Sequence, residues 1–414
     1  MNITDAREYL TGLEMFGSQL GLERIKDMCE DLGHPELDYK TIIVGGTNGK
    51  GSVSIILSSI LLEAGFKVGT YTSPALWDNR ERILVNKKKI SEKDFCRILE
   101  KLKPLQEKHK ATFFEVLTAA AFLHFAEQKV DYAILEVGLG GRFDATNVAE
   151  PEVSVITNID LDHTKVLGDT VLEIANEKAG IMRKGKALVT GSDKQDVLEF
   201  LEEHAKKANC KIVKTSGKKI APITSDLHEQ EFLVNDSRLK TKMLGDFQME
   251  NATTAISVAE LFGIDREKIA SGIEKAFWPG RFEVIQENPV VILSAAHNPA
   301  AISELCKSLD HIGKKKVFVF GASADKDIKS MLKEVSKHAS EVILTSYSKE
   351  RSAKPEDIEK YVDCKHQIKL PLNSAVDFAI EKAGDSIVVV TGSIFMAGEA
   401  RQRWKKEVSF ETPK

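Results

Sequence analysis

Five side chains suited to phosphoryl transfer stand in four separate stretches: Lys50 with Ser52, then Glu136, His163 and Lys178. Lys50 and Ser52 close the run Ile42-Ile43-Val44-Gly45-Gly46-Thr47-Asn48-Gly49-Lys50-Gly51-Ser52, in which a β-branched stretch leads into four glycines, a lysine and a hydroxyl. A strand, a glycine loop and a helix N-terminus together make an anion site, because backbone N–H groups point at phosphate and the helix dipole favours negative charge. In such a loop Thr47, Asn48, Gly49 and Gly51 offer backbone to the nucleotide, Lys50 reaches the outer phosphates, and the Ser52 hydroxyl sits on Mg²⁺. The strict phosphate-loop spacing is not met: Gly45 to Gly49 is one residue short, and Gly51 intervenes before Ser52. The stretch reads as a variant phosphate loop, against the plainer alternative of a glycine-rich strand–helix turn with an incidental lysine.

The other three residues are ambiguous one at a time. Glu136 lies near the end of an otherwise apolar strand, where a carboxylate is costly unless paired or bound to metal; a strand-end salt bridge is the alternative. His163 follows Asp160 and Asp162 in a strand-end loop and reads as either a surface histidine or a metal ligand. Lys178, inside a helix expected over 170–182, reads by itself as a solvated lysine. Mg²⁺ takes oxygen ligands, a hydroxyl and a carboxylate beside the substrate phosphates, and Ser52 and Glu136 supply that pair. The residues alone therefore reach a Mg-ATP phosphoryl-transfer site facing a second domain, with no acceptor named.

The elements that must position these groups follow from periodicity. Residues 2–33 predict helix, with Leu10, Leu13, Phe16, Leu20, Ile25 and Met28 at helical spacing, ended by Gly33-His34-Pro35. The phosphate loop opens a helix over 53–62. A strand over 66–71 ends in Thr72-Ser73-Pro74, polar residues where open α/β sheets place ligands. Segments 82–85 and 89–90 pair as a hairpin, and Ser91 caps the helix that follows. A strongly apolar helix over 113–128 leads to a strand over 131–137, then to Gly138-Leu139-Gly140-Gly141. Strands over 153–157 and 187–190 alternate with helices over 170–182 and 196–208, which means a parallel sheet with crossover helices. Residues 211–245 are more polar and strand-like, an extension of the sheet. Helices over 247–262 and 266–277 precede Trp278-Pro279-Gly280, which breaks the pattern. The domain boundary is placed there: 1–279 as a phosphate-loop-containing parallel-sheet ATPase domain, 280–414 as a smaller Rossmann-like α/β domain. Strands in the latter are expected over 290–293, 317–320, 341–344 and 386–390.

Composition bounds the function. A chain of 414 residues with 42% hydrophobic and 29% charged residues is an ordinary globular protein with room for two or three domains. A formal net charge of −4 argues against a general nucleic-acid or membrane-surface binder. Five cysteines without a C-x-x-C pair point to a reduced, cytoplasmic setting. No signal segment and no uninterrupted apolar run long enough to span a bilayer is expected.

The order of motifs resembles the folylpolyglutamate synthase/dihydrofolate synthase family of the Mur ligase superfamily. The resemblance rests on Gly46 to Ser52, on Thr72-Ser73-Pro74 with Glu81-Arg82, and on the block Leu135-Glu136-Val137-Gly138-Leu139-Gly140-Gly141-Arg142-Phe143-Asp144-Ala145-Thr146-Asn147. It continues through Leu161-Asp162-His163, Glu177-Lys178-Ala179-Gly180-Ile181, Asn251-Ala252, Pro279-Gly280-Arg281-Phe282-Glu283, Ala296-His297-Asn298-Pro299 and Thr391-Gly392-Ser393. It implies an ATP-dependent ligase that joins L-glutamate to a folate or pteroate carboxylate through an acyl phosphate. It also implies that Lys50 stabilises the transferring phosphoryl group, that Ser52 and Glu136 hold a first Mg²⁺ and that His163 serves a second. Lys178 matches the family's carbamylated lysine, Asn251 and Arg281 match nucleotide contacts, and His297 and Ser393 match the face toward nucleotide and glutamate. Thr72, Ser73, Pro74 and Arg82 fall to the substrate side. A monomer is expected.

Two departures bear on substrate and nucleotide. The family has aspartate and glycine where this chain has Ser294 and Ala295, and histidine where it has Ala75. They leave two alternatives beside the leading reading: a ligase of the same chemistry acting on a different acid, and a nucleotide-binding homologue that has lost ligation.

Overall fold

The computed structural model describes residues 1–14, 21–405 and 408–411. The chain divides into two compact units, Met1–Lys219 with Glu250–Ile273, and Ile220–Met249 with Glu274–Lys414. The helical reading of 2–33 corresponds to α1 (Ile3–Glu14) and α2 (Glu23–Asp31); Phe16 and Leu20 lie outside the described residues.

The first unit is built on eight strands: β1 (Lys40–Gly45), β2 (Val68–Tyr71), β3 (Ile83–Val85), β4 (Lys88–Lys89), β5 (Tyr132–Glu136), β6 (Pro151–Ile156), β7 (Ala187–Thr190) and β8 (Lys211–Lys214), in the order β4-β3-β2-β5-β1-β6-β7-β8. From β2 to β8 the pairs are parallel, and the expected hairpin β3–β4 adds an antiparallel edge. β1 sits centrally between β5 and β6, and its Thr41-Ile42-Ile43-Val44 run is wholly buried, as a parallel strand covered on both faces requires.

The crossover helices explain their own burial. α3 (Lys50–Glu63) is buried from Gly51 to Leu61, serines included, and α4 (Glu92–His109) starts from Ser91, whose hydroxyl accepts the Asp94 N–H at 3.0 Å. α5 (Phe113–Gln128) is apolar on all sides and buried from Glu115 to Phe125. A Thr112–Glu115 capping box opens it, and Arg24 of α2 pairs with the buried Glu115 at 3.0 Å. α6 (Thr164–Leu167), α7 (Val171–Ala179) and α8 (Gln195–Lys207) complete the alternation. α9 (Asp246–Leu261) from Glu250 onward and α10 (Arg266–Glu274) as far as Ile273 return the chain to this unit.

The second unit carries two sheets. β8 does extend the first sheet, but β9 (Ile220–Ser225), β10 (Gln230–Val234) and β11 (Ser237–Thr241) form a separate antiparallel sheet grouped with the second unit. Its edge strand β9 is exposed at five of its six residues, Ile223 among them. The main sheet has the order β12-β13-β17-β14-β15-β16, with β12 (Arg281–Glu287), β13 (Val290–Ser294), β14 (Lys316–Phe320), β15 (Glu341–Leu344), β16 (His366–Ile368) and β17 (Ile387–Thr391). All its pairs are parallel except β12–β13. Helices α11 (Pro299–Asp310), α12 (Ile328–His338), α13 (Pro355–Ile358), α14 (Leu372–Lys382) and α15 (Ile394–Arg401) alternate with the strands. No helix among the described residues is long and apolar enough to cross a membrane.

One close approach locks the phosphate-loop helix in place. A Cβ on Gly272 of α10 would lie 2.4 Å from the Ile60 Cα of α3 and 2.7 Å from its N. Backbone cannot yield as a flexible side chain can, so Gly272→Ala should destabilise the first unit by about 1–3 kcal/mol, the usual penalty of overpacking. A lowered midpoint in urea, followed by circular dichroism, is the expected outcome; an unchanged midpoint would show that the two helices can separate freely.

Candidate active site

Glycine is required in the loop between β1 and α3 for reasons visible in its neighbours. Gly46 has φ +139° and Gly49, at the N-cap of α3, has φ +81°, a region that side chains disfavour. A Cβ on Gly46 would fall 1.9 Å from Thr157 Oγ1, and one on Gly49 would fall 2.2 Å from Asn251 Oδ1. Because β6 pairs directly with β1, the turn after β6 lies against the loop and laces it down. The Thr47 N–H donates to Asn158 O and the Asn48 N–H to Asn158 Oδ1, each at 2.8 Å, while Thr157 Oγ1 donates to Asn48 O at 2.6 Å. Thr47 Oγ1 accepts from the Asp160 N–H at 3.0 Å and donates to Asp160 O at 3.1 Å. Thr157, Asn158 and Asp160 were not singled out from the sequence. Their signal was positional: a polar run at the C-terminal end of a strand, whose adjacency to β1 only the sheet order reveals.

Two ammonium groups converge on one carbonyl of this loop. Lys50 Nζ donates to Gly46 O at 3.2 Å and to Thr47 O at 3.1 Å; Lys178 Nζ donates to Gly46 O at 2.7 Å. Lys178 is only 4% exposed, in keeping with the site position that the family resemblance gives it and unlike the solvated lysine that its helix alone suggests. The glycine turn after β5 makes this possible. A Cβ on Gly141 would meet Glu177 O at 2.8 Å and Lys178 Cα at 3.0 Å, so only glycine lets α7 come this close. The turn is held in turn by Asp144, which is 5% exposed and accepts N–H groups from Gly138, Leu139 and Thr146. Burial, and next the charge of Lys50, push the Lys178 ammonium down to about 7; Asp162 and Asp144 act in the opposite direction.

Glu136 ends β5 opposite Val44 of β1, so it leaves the sheet at the same edge as the phosphate loop. It is 4% exposed, and its Oε2 accepts the Ser73 N–H at 2.9 Å, joining the end of β2 to the end of β5. Ser52 is buried in the first turn of α3. Arg82 is buried as well; its Nε donates to Asn79 Oδ1 at 3.1 Å and its guanidinium lies 5.4 Å from the Phe113 ring centroid. Thr72 continues the β2–β3 ladder by donating its N–H to Arg82 O at 2.9 Å. His163 is different in kind: it has φ +52°, precedes α6, and keeps a side chain 43% exposed with Nε2 3.9 Å from Asp162 Oδ1. Among the described residues no group of three or more His, Cys, Asp and Glu is arranged to hold a metal. A hydroxyl, a carboxylate and substrate phosphates are nonetheless the oxygen set that Mg²⁺ takes, and Ser52 and Glu136 fit it.

Arg281, His297 and Ser393 belong to the second unit. Arg281 opens β12 opposite Ser294, and its Nη1 reaches Ala295 O at 3.5 Å; His297 Nδ1 lies 2.9 Å from the same oxygen. Ser294, standing where an aspartate was expected, accepts the Ala296 N–H on its hydroxyl at 3.3 Å and so shapes the turn into His297. Ser393 caps α15 at the end of β17, accepting the Phe395 N–H at 3.2 Å. The remaining expected site residues, Thr47 to Ser52, Thr72 to Pro74, Arg82, Glu136, His163, Lys178 and Asn251, all belong to the first unit.

Comparison with known proteins bears on this arrangement. The Mur ligase middle domain matches residues 44–259, and the Mur ligase glutamate ligase domain matches residues 280–394. The dihydrofolate synthase/folylpolyglutamate synthase of Bacillus subtilis is 35% identical over 97% of this chain and 99% of its own length. Among solved structures, Mycobacterium tuberculosis folylpolyglutamate synthase complexed with ADP superposes with a TM-score of 0.89 at 29% identity, covering 98% of this chain and 99% of that one. The bifunctional folylpolyglutamate synthase/dihydrofolate synthase with Mn, AMPPNP and L-glutamate bound gives 0.85 at 31% identity, covering 96% and 97%.

Thr157 offers a test of the loop that leaves its charged groups alone. Thr157→Val removes the hydroxyl holding Asn48 O while keeping the shape, and one such hydrogen bond is worth about 1 kcal/mol. ADP affinity by calorimetric titration should fall roughly fivefold. Wild-type affinity in the variant would show that the lacing does not preorganise the loop.

Proposed function

We infer, from the membership of this chain in the folylpolyglutamate synthase/dihydrofolate synthase family of Mur ligases, that it is an ATP-dependent ligase adding L-glutamate to a folate or pteroate carboxylate. The observation that carries the reading furthest is the pair of lysines at the phosphate loop, with Lys178 buried against Gly46 O. A buried lysine held near pKa 7 is largely neutral at slightly alkaline pH, and only the neutral amine has a lone pair to add to CO₂. Its Nζ–C bond forms as a proton leaves the nitrogen, and the product is a carbamate, an oxygen-bearing anion suited to a hard cation. Ser52, Glu136, carbamylated Lys178 and His163 are the groups proposed to hold two Mg²⁺ ions. Bound there, Mg²⁺ supplies neutralisation of the phosphate oxygens.

The chain's own groups divide the remaining work. Backbone from Thr47 to Gly51 at the head of α3 takes the phosphates, with Asn251 against Gly49. Lys50 leaves the Gly46 and Thr47 carbonyls to follow the γ-phosphoryl group as a carboxylate oxygen of the acid attacks it and ADP departs. The glutamate amine then attacks the acyl carbon, loses a proton, and the tetrahedral intermediate collapses with release of phosphate. No side-chain nucleophile is needed; positioning and charge supply most of the acceleration in phosphoryl transfer. Arg281 is assigned to the nucleotide phosphates, His297 to nucleotide and glutamate, and Ser393 to the substrate. Thr72, Ser73, Pro74 and Arg82 are assigned to the acid, where Ala75 leaves room that a histidine would fill. The domain boundary is proposed at residues 279 and 280, and the working form as a cytoplasmic monomer, in line with reduced cysteines and a modest net charge.

Glutamate-dependent phosphate release from ATP, measured with dihydropteroate and with tetrahydrofolate in turn, should be seen with at least one acid. No release with either would overturn the reading, and tight ATP binding without turnover would favour a homologue that has lost ligation. Lys50→Ala should lower kcat by about 10²–10³, the usual loss for a preorganised group at the developing charge, with a melting temperature near wild type. Lys178→Ala should be inactive and regain part of its rate with added acetate, a short carboxylate standing in for the carbamate; full activity in the unsupplemented variant would refute carbamylation.

A further inference from the structure

The turn that presents Arg281 is held in a conformation its sequence does not favour. Phe282 has φ +57°, two residues after Gly280 at φ +71°. A bulky residue in the left-handed region is a steric outlier that persists only where its surroundings impose it. The β12–β13 register slips at the same point, with Arg281 opposite Ser294 but Glu283 opposite Leu293, so Phe282 is the extra residue of a bulge that re-aims the side chain before it.

Phe282 is itself buried in the core of this unit, and a further contact on the turn comes from the far end of α15. Arg401 Nε donates to Glu283 Oε2 at 2.9 Å and its Nη2 to Oε1 at 3.1 Å, with both side chains 3% exposed or less. The same Oε2 accepts the Gly280 N–H at 2.9 Å, and Lys405 Nζ approaches Oε1 at 3.9 Å from a half-exposed position. Glu283 thus clamps the residue before Arg281 while Arg401 fixes the plane of its carboxylate. A buried ion pair is a poor stabiliser for its cost, whereas removing one partner leaves an uncompensated buried charge. Arginine serves because its fork delivers two parallel hydrogen bonds, which lysine cannot. α15 packs on β13 and β17 and begins at Ser393, so one helix carries a substrate-side serine at its start and this guanidinium at its end. Arg401 lies beyond the residues that the glutamate ligase domain matches.

We propose that Arg401 is a positioning residue for nucleotide binding: through Glu283 it holds the Gly280–Phe282 turn so that Arg281 is presented to the phosphates. The proposal rests on the phosphate role assigned to Arg281 above. It is tested on the full chain by calorimetric titration with ADP, comparing wild type, Arg401→Met, Arg401→Lys, Arg281→Ala and the Arg281→Ala/Arg401→Met double variant, with melting temperatures alongside. Arg401→Met should weaken ADP binding about tenfold, Arg401→Lys should recover part of that, and the KM for the acid should stay within about twofold. In the Arg281→Ala background, Arg401→Met should add less than about twofold, since both changes remove the same contact. Wild-type ADP affinity in Arg401→Met, or full additivity in the double variant, overturns the proposal while leaving the ligase reading intact. Should Arg281→Ala itself bind ADP as wild type does, the premise fails and the proposal with it; ligation by the wild-type chain reports separately on the ligase reading. If Arg401→Met does not fold, Glu283→Gln replaces it under the same criteria, because it keeps the shape of the clamp and removes its charge.

Discussion

Two positive groups on one carbonyl oxygen form the constraint around which the first unit is arranged. Gly46 O receives both Lys50 and Lys178, and neither lysine sits in open water. Such convergence is unfavourable for two ammonium ions, and burial adds to the penalty. One of the two therefore gives up its proton readily, and the deeper one, Lys178, is the one pushed down to about 7. The surrounding architecture follows from keeping these groups in place. β1 must lie between β5 and β6 so that Glu136 and the Thr157–Asp160 turn flank the loop. Gly141 must lack a side chain so that α7 can deliver Lys178. α3 is buried from Gly51 to Leu61, which fixes the first turn that the loop opens into.

The second unit uses the same economy with different parts. Its carbonyl at Ala295 gathers Arg281 and His297, as Gly46 gathers the two lysines. Here the carboxylate expected beside them is absent, and Ser294 has taken over only the local duty of capping the turn to Ala296. Glu283, two residues after Arg281, is engaged by Arg401 and by the Gly280 N–H.

Much of this was legible in the sequence because local rules govern it. Glycines that need positive φ, capping residues such as Ser91 and Thr112, and buried apolar runs such as Thr41 to Val44 leave marks within a few residues of themselves. The alternation of strands and helices was legible for the same reason, and so were the phosphate loop and Glu136. Lys178 is legible only through the family resemblance: nothing within its own helix tells a buried lysine from a solvated one, and the glycine turn that α7 packs against lies 37 residues away. Thr157, Asn158 and Asp160 gain their role only from the sheet order. β12 escaped because its bulges break the alternation that marks a strand, and β16 because three half-buried residues carry too little pattern. The segment 211–245 reads as one extension of the sheet because polarity alone cannot separate an edge strand from a small independent sheet.

The charge balance of the site also argues for its chemistry. A ligase of this kind brings together ATP, a carboxylate and an amino acid with two carboxylates, so an empty site that is to receive them must be electropositive. A site that stored all that charge as fixed ammonium and guanidinium groups would repel itself when vacant. This chain avoids that in two ways. Lys178, pushed down to about 7 by burial, can be neutral in the absence of anions, and the carbamate proposed for it above would reverse its sign and suit divalent cations. Arg281 is held instead by rigid backbone, at the expense of an unfavourable φ at Phe282. A group that must change its charge is buried where its proton is labile; a group that must keep its charge is an arginine fixed by geometry. That division follows from what each must do when phosphate arrives.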